Sequence, residues 1–534
     1  MPMKNNLEKL NILVALALLL TGCTAPAAPA EAPAPEEPAP VEEVEPAPEK
    51  NTGFHLADTL FTINYDPAST LSPIYGTNNF NCDMMSLMYE GLYRLGADFT
   101  PERVLCESEE TEDGVTWYFH LKRGVLFHDG TELKAQDVVD TVNSAAGGSK
   151  YSTRYSKVLA INAYDDYTVS VVLASANYDF PRLMDLPIVK SGTQRATPPT
   201  GSGPYVFTDD GYLEAFPLHR DYASLPTDRV YYSENDLGSL TRAFASKEID
   251  LLNRDTTGVV GLNFHGFFET RYYDTTNLVY IGFNERRGAG SDPLVRKAIA
   301  KIFDRDSIVS EVYGSAVRNA PLILSSALGE YDSAWETGTG YDPRGFYDVI
   351  STAIVYDWDN DGYWDNSAVA ASLDITLIVN DDNDYKVSVA KDLAYALEAN
   401  GLRTELKILP YSQYVSALGS GDFSIYVGEV KLTPDFDLTS LLTYGGKMNY
   451  GNISDPEYRD LIAAYLGSTG EEKRENARLL CEHAAEKVDI IPVCYKKYAV
   501  LTHIGEVTNI SPSVSGVFTD IKNWKIDLGG IEND

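Results

Sequence analysis

The stretch Thr24–Lys50 divides this chain into parts that cannot share one fold. It holds eight Pro, eight Ala and seven Glu among 27 residues and shows no apolar periodicity. Proline removes backbone donors and blocks helix, while like charges repel and extend the backbone. The segment therefore reads as a tether between a 22-residue leader and a 484-residue body that starts at Asn51. Of the formal net charge of −35, the leader carries +1 and the tether −6, so −30 remains on the body. A field of that sign repels phosphate backbones and excludes general nucleic-acid binding. It also disfavours simple adsorption to anionic lipid. With 44% hydrophobic residues over 534, the body has the material for a large core.

The leader, residues 1–22, joins Lys4 and Lys9 to the apolar run Ile12–Leu20 and ends in Leu20-Thr21-Gly22-Cys23. A charged start, a short apolar middle and small residues at the end predict a secretory signal. Nine apolar residues are too few to cross a hydrocarbon core of about 30 Å. The Leu-Thr-Gly-Cys ending resembles the lipobox of bacterial lipoproteins. That resemblance implies that Cys23 becomes a lipidated N-terminus and that residues 23–50 are a lipid-anchored tether. A lipid chain supplies about 0.8 kcal/mol per buried CH₂, the attraction an acidic protein lacks at a membrane.

Within the body, strand and helix patterns alternate, which predicts an α/β architecture. Leu60–Ile63, Val115–Leu121 and Thr168–Leu173 read as strands, and Phe80–Tyr93, Ala135–Ala146 and Glu234–Ala245 as helices. A second block begins near residue 276. Leu278–Phe283 is a strand, and Pro293–Phe303 a helix that starts on Pro with Asp292 as its cap. Ile375–Val379 precedes the helix Tyr385–Asn400, which Gly401 terminates. The helix Glu471–Val488 leads to two closing strands, Ile490–Tyr495 and Tyr498–Thr502.

Catalytic signatures are missing from the sequence: there is no Gly-x-Ser-x-Gly elbow, no His-Glu-x-x-His pair and no Gly-x-x-x-x-Gly-Lys-Ser/Thr phosphate loop. His120 and His128 flank a turn and read as local hydrogen-bonding groups rather than metal ligands. Asp357, Asp359, Asp361 and Asp365 match the first part of an EF-hand loop and form a weak calcium candidate. Position twelve is Ala368, where a bidentate Glu is needed, and the other reading is a turn held by its own side chains. Cys82, Cys106, Cys481 and Cys494 allow three pairings, with free thiols an equal alternative.

Several stretches, taken in order, resemble the family 5 solute-binding proteins of ABC importers, the peptide and nickel receptor group. They are Tyr89-Glu90-Gly91-Leu92; Ser108–Gly114 with Trp117–Leu121; Phe127-His128-Asp129-Gly130-Thr131 through Asp137-Val138-Val139; Thr200-Gly201-Ser202-Gly203-Pro204-Tyr205; Phe283-Asn284; and Asp292–Ile308. Gly421-Asp422-Phe423, Asn452–Tyr458 and Ile491-Pro492-Val493 extend the match over roughly residues 54–510. Each also has a local physical reading. Gly201 and Gly203 suit a sharp turn before a sheet, and Gly130 a tight turn after Asp129.

The resemblance implies a two-lobe periplasmic-binding-protein-like fold (class II) that closes on its ligand about a hinge. Lobe I would comprise residues 54–273 and 490–534, with an inserted subdomain at 74–190, and lobe II residues 274–489. It implies a small oligomeric solute, most simply an oligopeptide, delivered to an ABC permease with a separate ATPase. The protein would be a monomer with no cofactor and no catalytic residue, anchored outside the cytoplasm through Cys23. A metal chelate or an oligosaccharide is the alternative ligand, and a surface hydrolase or a signalling or chaperone-like module the alternative of another class. Ligand contacts would come from Thr77, Asn78 and Asn79 on one side and Gly428, Glu429, Val430 and Lys431 on the other, with the ligand backbone laid against strands. In relatives the second segment runs on through a Trp to an Asp that pairs with the ligand ammonium. Here Glu429 stands at the Trp position, and Lys431 and Leu432 stand where the Asp is expected. Either Glu429 or Asp435 takes over that role, or the ligand lacks the ammonium, and Lys431 favours an anionic group.

Overall fold

The two longest strands, Phe268–Phe283 and Ile490–His503, organise the molecule. The computed structural model describes residues 56–258, 267–353, 355–366 and 371–529. The leader, Cys23 and the tether lie outside them, as does Ala368. Phe268–Asp274 pairs antiparallel with Lys497–His503, and Leu278–Gly282 with Ile490–Tyr495. The register shifts between these two blocks, at Thr275, Thr276 and Asn277. Side chains replace the interrupted ladder: Thr275 donates its hydroxyl to the Lys496 carbonyl and Thr276 to that of Leu432, each at 2.7 Å. A bulge of this kind bends a strand pair while its polar groups stay satisfied.

On one side of the bulge the sheet continues through Leu251–Asp255, Thr62–Tyr65, Arg229–Glu234, Tyr212–Ala215 and Tyr205–Phe207. On the other it continues through Ile425–Lys431, Ile375–Asn380 and Thr404–Leu409. A separate four-stranded antiparallel sheet, ordered Cys106–Glu110, Thr116–Leu121, Thr168–Leu173 and Val158–Ala163, forms within the stretch 74–190. The two ends of the long sheet have their own apolar cores, one around Phe61, Leu87 and Phe119, the other around Ile299, Leu377 and Leu393. The α/β, two-lobe fold expected from the sequence is the fold observed.

Several local expectations hold. Asp292 caps the helix Pro293–Ile302, accepting from the Leu294 N–H at 2.8 Å, and Gly401 adopts φ 78° after the helix Asp384–Ala399. Others need correction. The helix read as Phe80–Tyr93 runs Asn79–Met88, because Tyr89 turns extended and Gly91 passes within contact of the Asp185 backbone, where a side chain would collide. The helix read from Glu234 begins at Leu237, since Glu234 closes a strand. The two closing strands are one, unbroken through Lys496 and Lys497. Gly201 and Gly203 do not serve a positive-φ turn. A Cβ on either would sit 2.1–2.5 Å from the Met88 and Leu87 carbonyls, so glycine is required by close approach of the loop to the helix end.

Candidate functional site

A cavity of about 840 Å³ opens beside the bulge, between the Asn79–Met88 helix and the Glu429–Lys431 end of the strand Ile425–Lys431. That volume lies in the range of small-ligand sites. Its walls come from residues far apart in sequence: Thr77, Asn79, Cys82 and Asp83; Lys150 and Arg154; Asn253, Tyr273 and Thr276; and Glu429, Val430 and Lys431. Five of the eight residues expected as contacts thus meet at one cavity. The other three are placed differently. Asn78 caps the helix, accepting from the Phe80 and Asn81 N–H groups and donating to Asp66. Gly428 packs under Tyr280, whose ring a Cβ would strike at 2.8 Å. Asp435 is 2% exposed, accepts from Asn177 at 2.9 Å, and lines a separate side pocket of about 260 Å³.

The strand Ile425–Lys431 has a distinctive edge. It pairs with Phe268–Phe283 over its whole length, but with Ile375–Asn380 only through Ile425 and Tyr426. Among the described residues, Glu429–Lys431 therefore offers main-chain groups along a free edge at the cavity.

The charges in the cavity fall into two kinds. Glu429 is engaged: it lies 3.1 Å from the buried Lys496 ammonium, which Asp255 also contacts. Burial alone would lower the Lys496 pKa, but the Glu429 and Asp255 carboxylates outweigh it and the pKa is raised. Arg154 is paired with Asp185, and Lys150 donates to the Pro73 and Gly76 carbonyls. Three groups are not engaged in this way among the described residues: Asp83, Lys431 and the exposed Lys447. Asp83 is 8% exposed and one of its oxygens accepts from Asn253 at 2.8 Å, but no cation pairs with it among the described residues. Burial pushes its pKa up to about 8 against the Asn253 hydrogen bond. Lys431 has neither a hydrogen bond nor an ion pair from its ammonium among the described residues. Its side chain is reachable from the cleft yet crowded by the walls, so desolvation lowers its pKa, aided by the nearby charges of Arg154 and Lys150.

Sequence reading missed Asp83, Lys150, Arg154, Asn253 and Lys496. One signal was available: Asp83 interrupts the otherwise apolar face of Met84, Leu87 and Met88, and a carboxylate at such a position is rarely buried without a reason. The two histidines and the acidic loop stay apart from the cavity, whereas Cys82 and the stretch Tyr89-Glu90-Gly91 line it. His120 bonds Glu110 and Thr168, and His128 the Gly203 carbonyl. In the acidic loop, Asp357, Asp359 and Asp361 approach one another, but their oxygens accept from the loop's own N–H groups, Asp361 pairs with Arg403, and Asp365 accepts from the Trp358 N–H. The four cysteines are unpaired thiols.

A cleft flanked by two sheet halves, crossed by two long strands and lined by polar groups from both, defines a two-lobed solute receptor. The family model for bacterial extracellular solute-binding proteins, family 5, matches residues 100–452, and the chain belongs to that family. It is similar to the oligopeptide-binding protein AppA of Bacillus subtilis, 24% identical over 378 residues covering 65% of this chain and 68% of AppA. The structure of AppA in complex with a nonapeptide superposes with a TM-score of 0.63, covering 88% of this chain and 99% of that one, at 20% identity. The substrate-binding protein CtaP from Listeria monocytogenes gives 0.71 at 21% identity, covering 88% of this chain and 99% of CtaP. NikZ from Campylobacter jejuni, in complex with Ni(L-His), gives 0.65 at 17% identity with the same coverage. Among the described residues no helix is long and apolar enough to cross a membrane.

Proposed function

We propose that this protein is the extracytoplasmic receptor of an ABC importer, which captures a peptide in the cleft and presents it to a permease whose ATPase is a separate subunit. It does no covalent chemistry, works as a monomer, and is held at the membrane by lipid on Cys23 at the end of its tether. The observation that carries the peptide reading is the free edge of Glu429–Lys431 at the cavity. An extended ligand backbone can pair there by strand addition, with side chains entering the space in front of Thr77 and Asn79. The kinship with AppA supports the same ligand class. Lobe I as residues 54–273 and 490–534, with its insertion at 74–190, and lobe II as 274–489 remain our working division.

Mass spectrometry of the natively purified protein tests the reading directly, and retained peptide is the expected result. A thermal-shift screen of peptide pools, sugars and nickel chelates is the second test, since a ligand at 100 times its Kd adds about 2.7 kcal/mol. A shift with sugars or chelates and none with peptides would overturn the proposal. Turnover of peptides or glycosides would overturn the receptor role.

A further inference from the structure

We infer that the cleft reads its ligand by charge at two fixed points, Asp83 receiving a cationic group and Lys431 an anionic one, so that the ligand is a short zwitterion. The inference rests on the peptide reading and narrows it to peptides whose two ends are both unblocked.

Three observations carry it. First, Asp83 sits in the cavity wall with one oxygen on Asn253, which Tyr273 in turn holds by donating to the Asn253 carbonyl oxygen at 3.0 Å. The other oxygen has no partner among the described residues and is not sealed from the cavity. A carboxylate taken out of water without a cation is costly, so the empty cleft favours the protonated acid, and a cationic ligand group supplies the missing partner and releases that proton. The polarity of that position, with an oriented amide behind it, preorganises the carboxylate toward the cavity.

Second, Lys150, Arg154 and Lys431, three cations of the cavity lining that feel one another's charge, are not equivalent. Arg154 is neutralised by Asp185, and Lys150 is fixed on two carbonyls. Lys431 alone of the three is uncommitted, although the body around it carries 30 excess negative charges. A lysine left unpaired in so acidic a protein, in a cleft rather than on the outer surface, points to an anion that arrives from outside.

Third, both groups border the same residue. Cys82 precedes Asp83 in the chain and feels the charges of Asp83, Lys150 and Lys431. Asp83 and Lys431 are therefore near enough to serve one small ligand, yet they form no ion pair with each other. Neither Glu429, held by Lys496, nor Asp435, enclosed beside Asn177, offers a comparable carboxylate.

The experiment is calorimetric titration of the full chain with a panel of di- and tripeptides, each also prepared N-acetylated and C-amidated. For the wild type, either modification should weaken binding at least tenfold. In Asp83→Asn the penalty for N-acetylation should shrink to about twofold, while that for amidation persists. Lys431→Gln should show the reverse pattern. Wild-type protein that binds acetylated and amidated peptides as tightly as free ones overturns the inference and leaves the peptide reading standing. So does a variant that retains the wild-type discrimination at its own end. Binding of no peptide in any form overturns both. The wild-type arm is informative even if a variant folds poorly.

Discussion

Two polar regions link the parts of this molecule, and their charges are handled in opposite ways. Where the stretch 157–182 meets 435–473, the charged groups find protein partners. Asn177 donates to Asp435, Lys473 contacts Asp179, Lys157 lies 2.7 Å from Asp437, and Arg182 lies between Asp179 and Glu330. Main chain joins as well, with the Tyr178 N–H donating to the Leu466 carbonyl at 2.8 Å. In the cavity a few residues away, Asp83 and Lys431 remain uncompensated. The first arrangement fixes shape, because a paired buried charge is costly to separate and indifferent to solutes. The second leaves solvation cost in place until a ligand removes it. Paired charges here mark structure, and unpaired ones mark recognition.

The largest break in that comparison should come from the paired side. Lys496 is almost fully enclosed and serves both Asp255 and Glu429 at the bulge. Lys496→Met leaves two facing carboxylates without a cation. A loss on the order of 3 kcal/mol is expected in urea unfolding at pH 7, partly recovered at low pH as the acids protonate. An unchanged midpoint would show that the cluster is solvated and that the pairing carries no structural weight.

Next in size is Asp83, tested without ligand. Its folded pKa of about 8 is raised above the unfolded value by burial, so the native state holds a proton that the unfolded chain has released. Its favourable contribution is full below pH 4 and is lost as pH rises toward 8. Asp83→Asn removes that loss. The variant should match wild type near pH 4 and exceed it by a growing margin as pH rises to 8. Parallel stability curves from pH 4 to 9 would refute an uncompensated carboxylate at this site. Saturating cationic ligand should flatten the wild-type curve toward that of the variant.

The contrast also explains what could be read from the sequence. The α/β alternation, the Asp292 cap and the Gly401 stop are local, fixed by residues within a turn of one another, and they were legible. So was the segment Glu429–Lys431, because its neighbours carry a recognisable order. The cavity wall at Lys150, Arg154 and Asn253 was not, since it is assembled across some 350 residues by the sheet and the insertion. The role of Glu429 depended on Lys496, 67 residues away, and no spacing rule connects them. The unbroken Ile490–His503 strand was hidden for the same reason: Lys496 and Lys497 interrupt the apolar pattern, and only their partners across the bulge show why charges are tolerated there.

Removing the Asp435 partner should have an intermediate effect. Burial first, and then the Asp437 charge, raise the Asp435 pKa, while hydrogen bonds from Thr433 and Asn177 counter both. Asn177→Ala withdraws that donor, and a cost of about 1–2 kcal/mol follows from an unsatisfied buried acceptor. The loss should deepen as pH rises, because the ionised form is the one that most needs the Asn177 donor, with only Thr433 and the Asp437 N–H remaining. Ligand discrimination between free and amidated peptides should be unaffected, since Asp435 lies outside the main cavity.

The smallest stability effect belongs to Lys431. Its ammonium has no hydrogen bond or ion pair among the described residues to lose, so Lys431→Gln should stay within about 0.5 kcal/mol of wild type in urea. A slight gain is the expected sign, because the neighbouring charges of Arg154 and Lys150 repel it. The same substitution should remove most of the preference for a free ligand carboxylate. A residue whose loss is silent in folding and decisive in binding separates recognition from structure most cleanly. Should Lys431→Gln instead lower stability by 2 kcal/mol or more, Lys431 would be a structural charge with a partner, and the division between the two regions would fail at the place where it is sharpest.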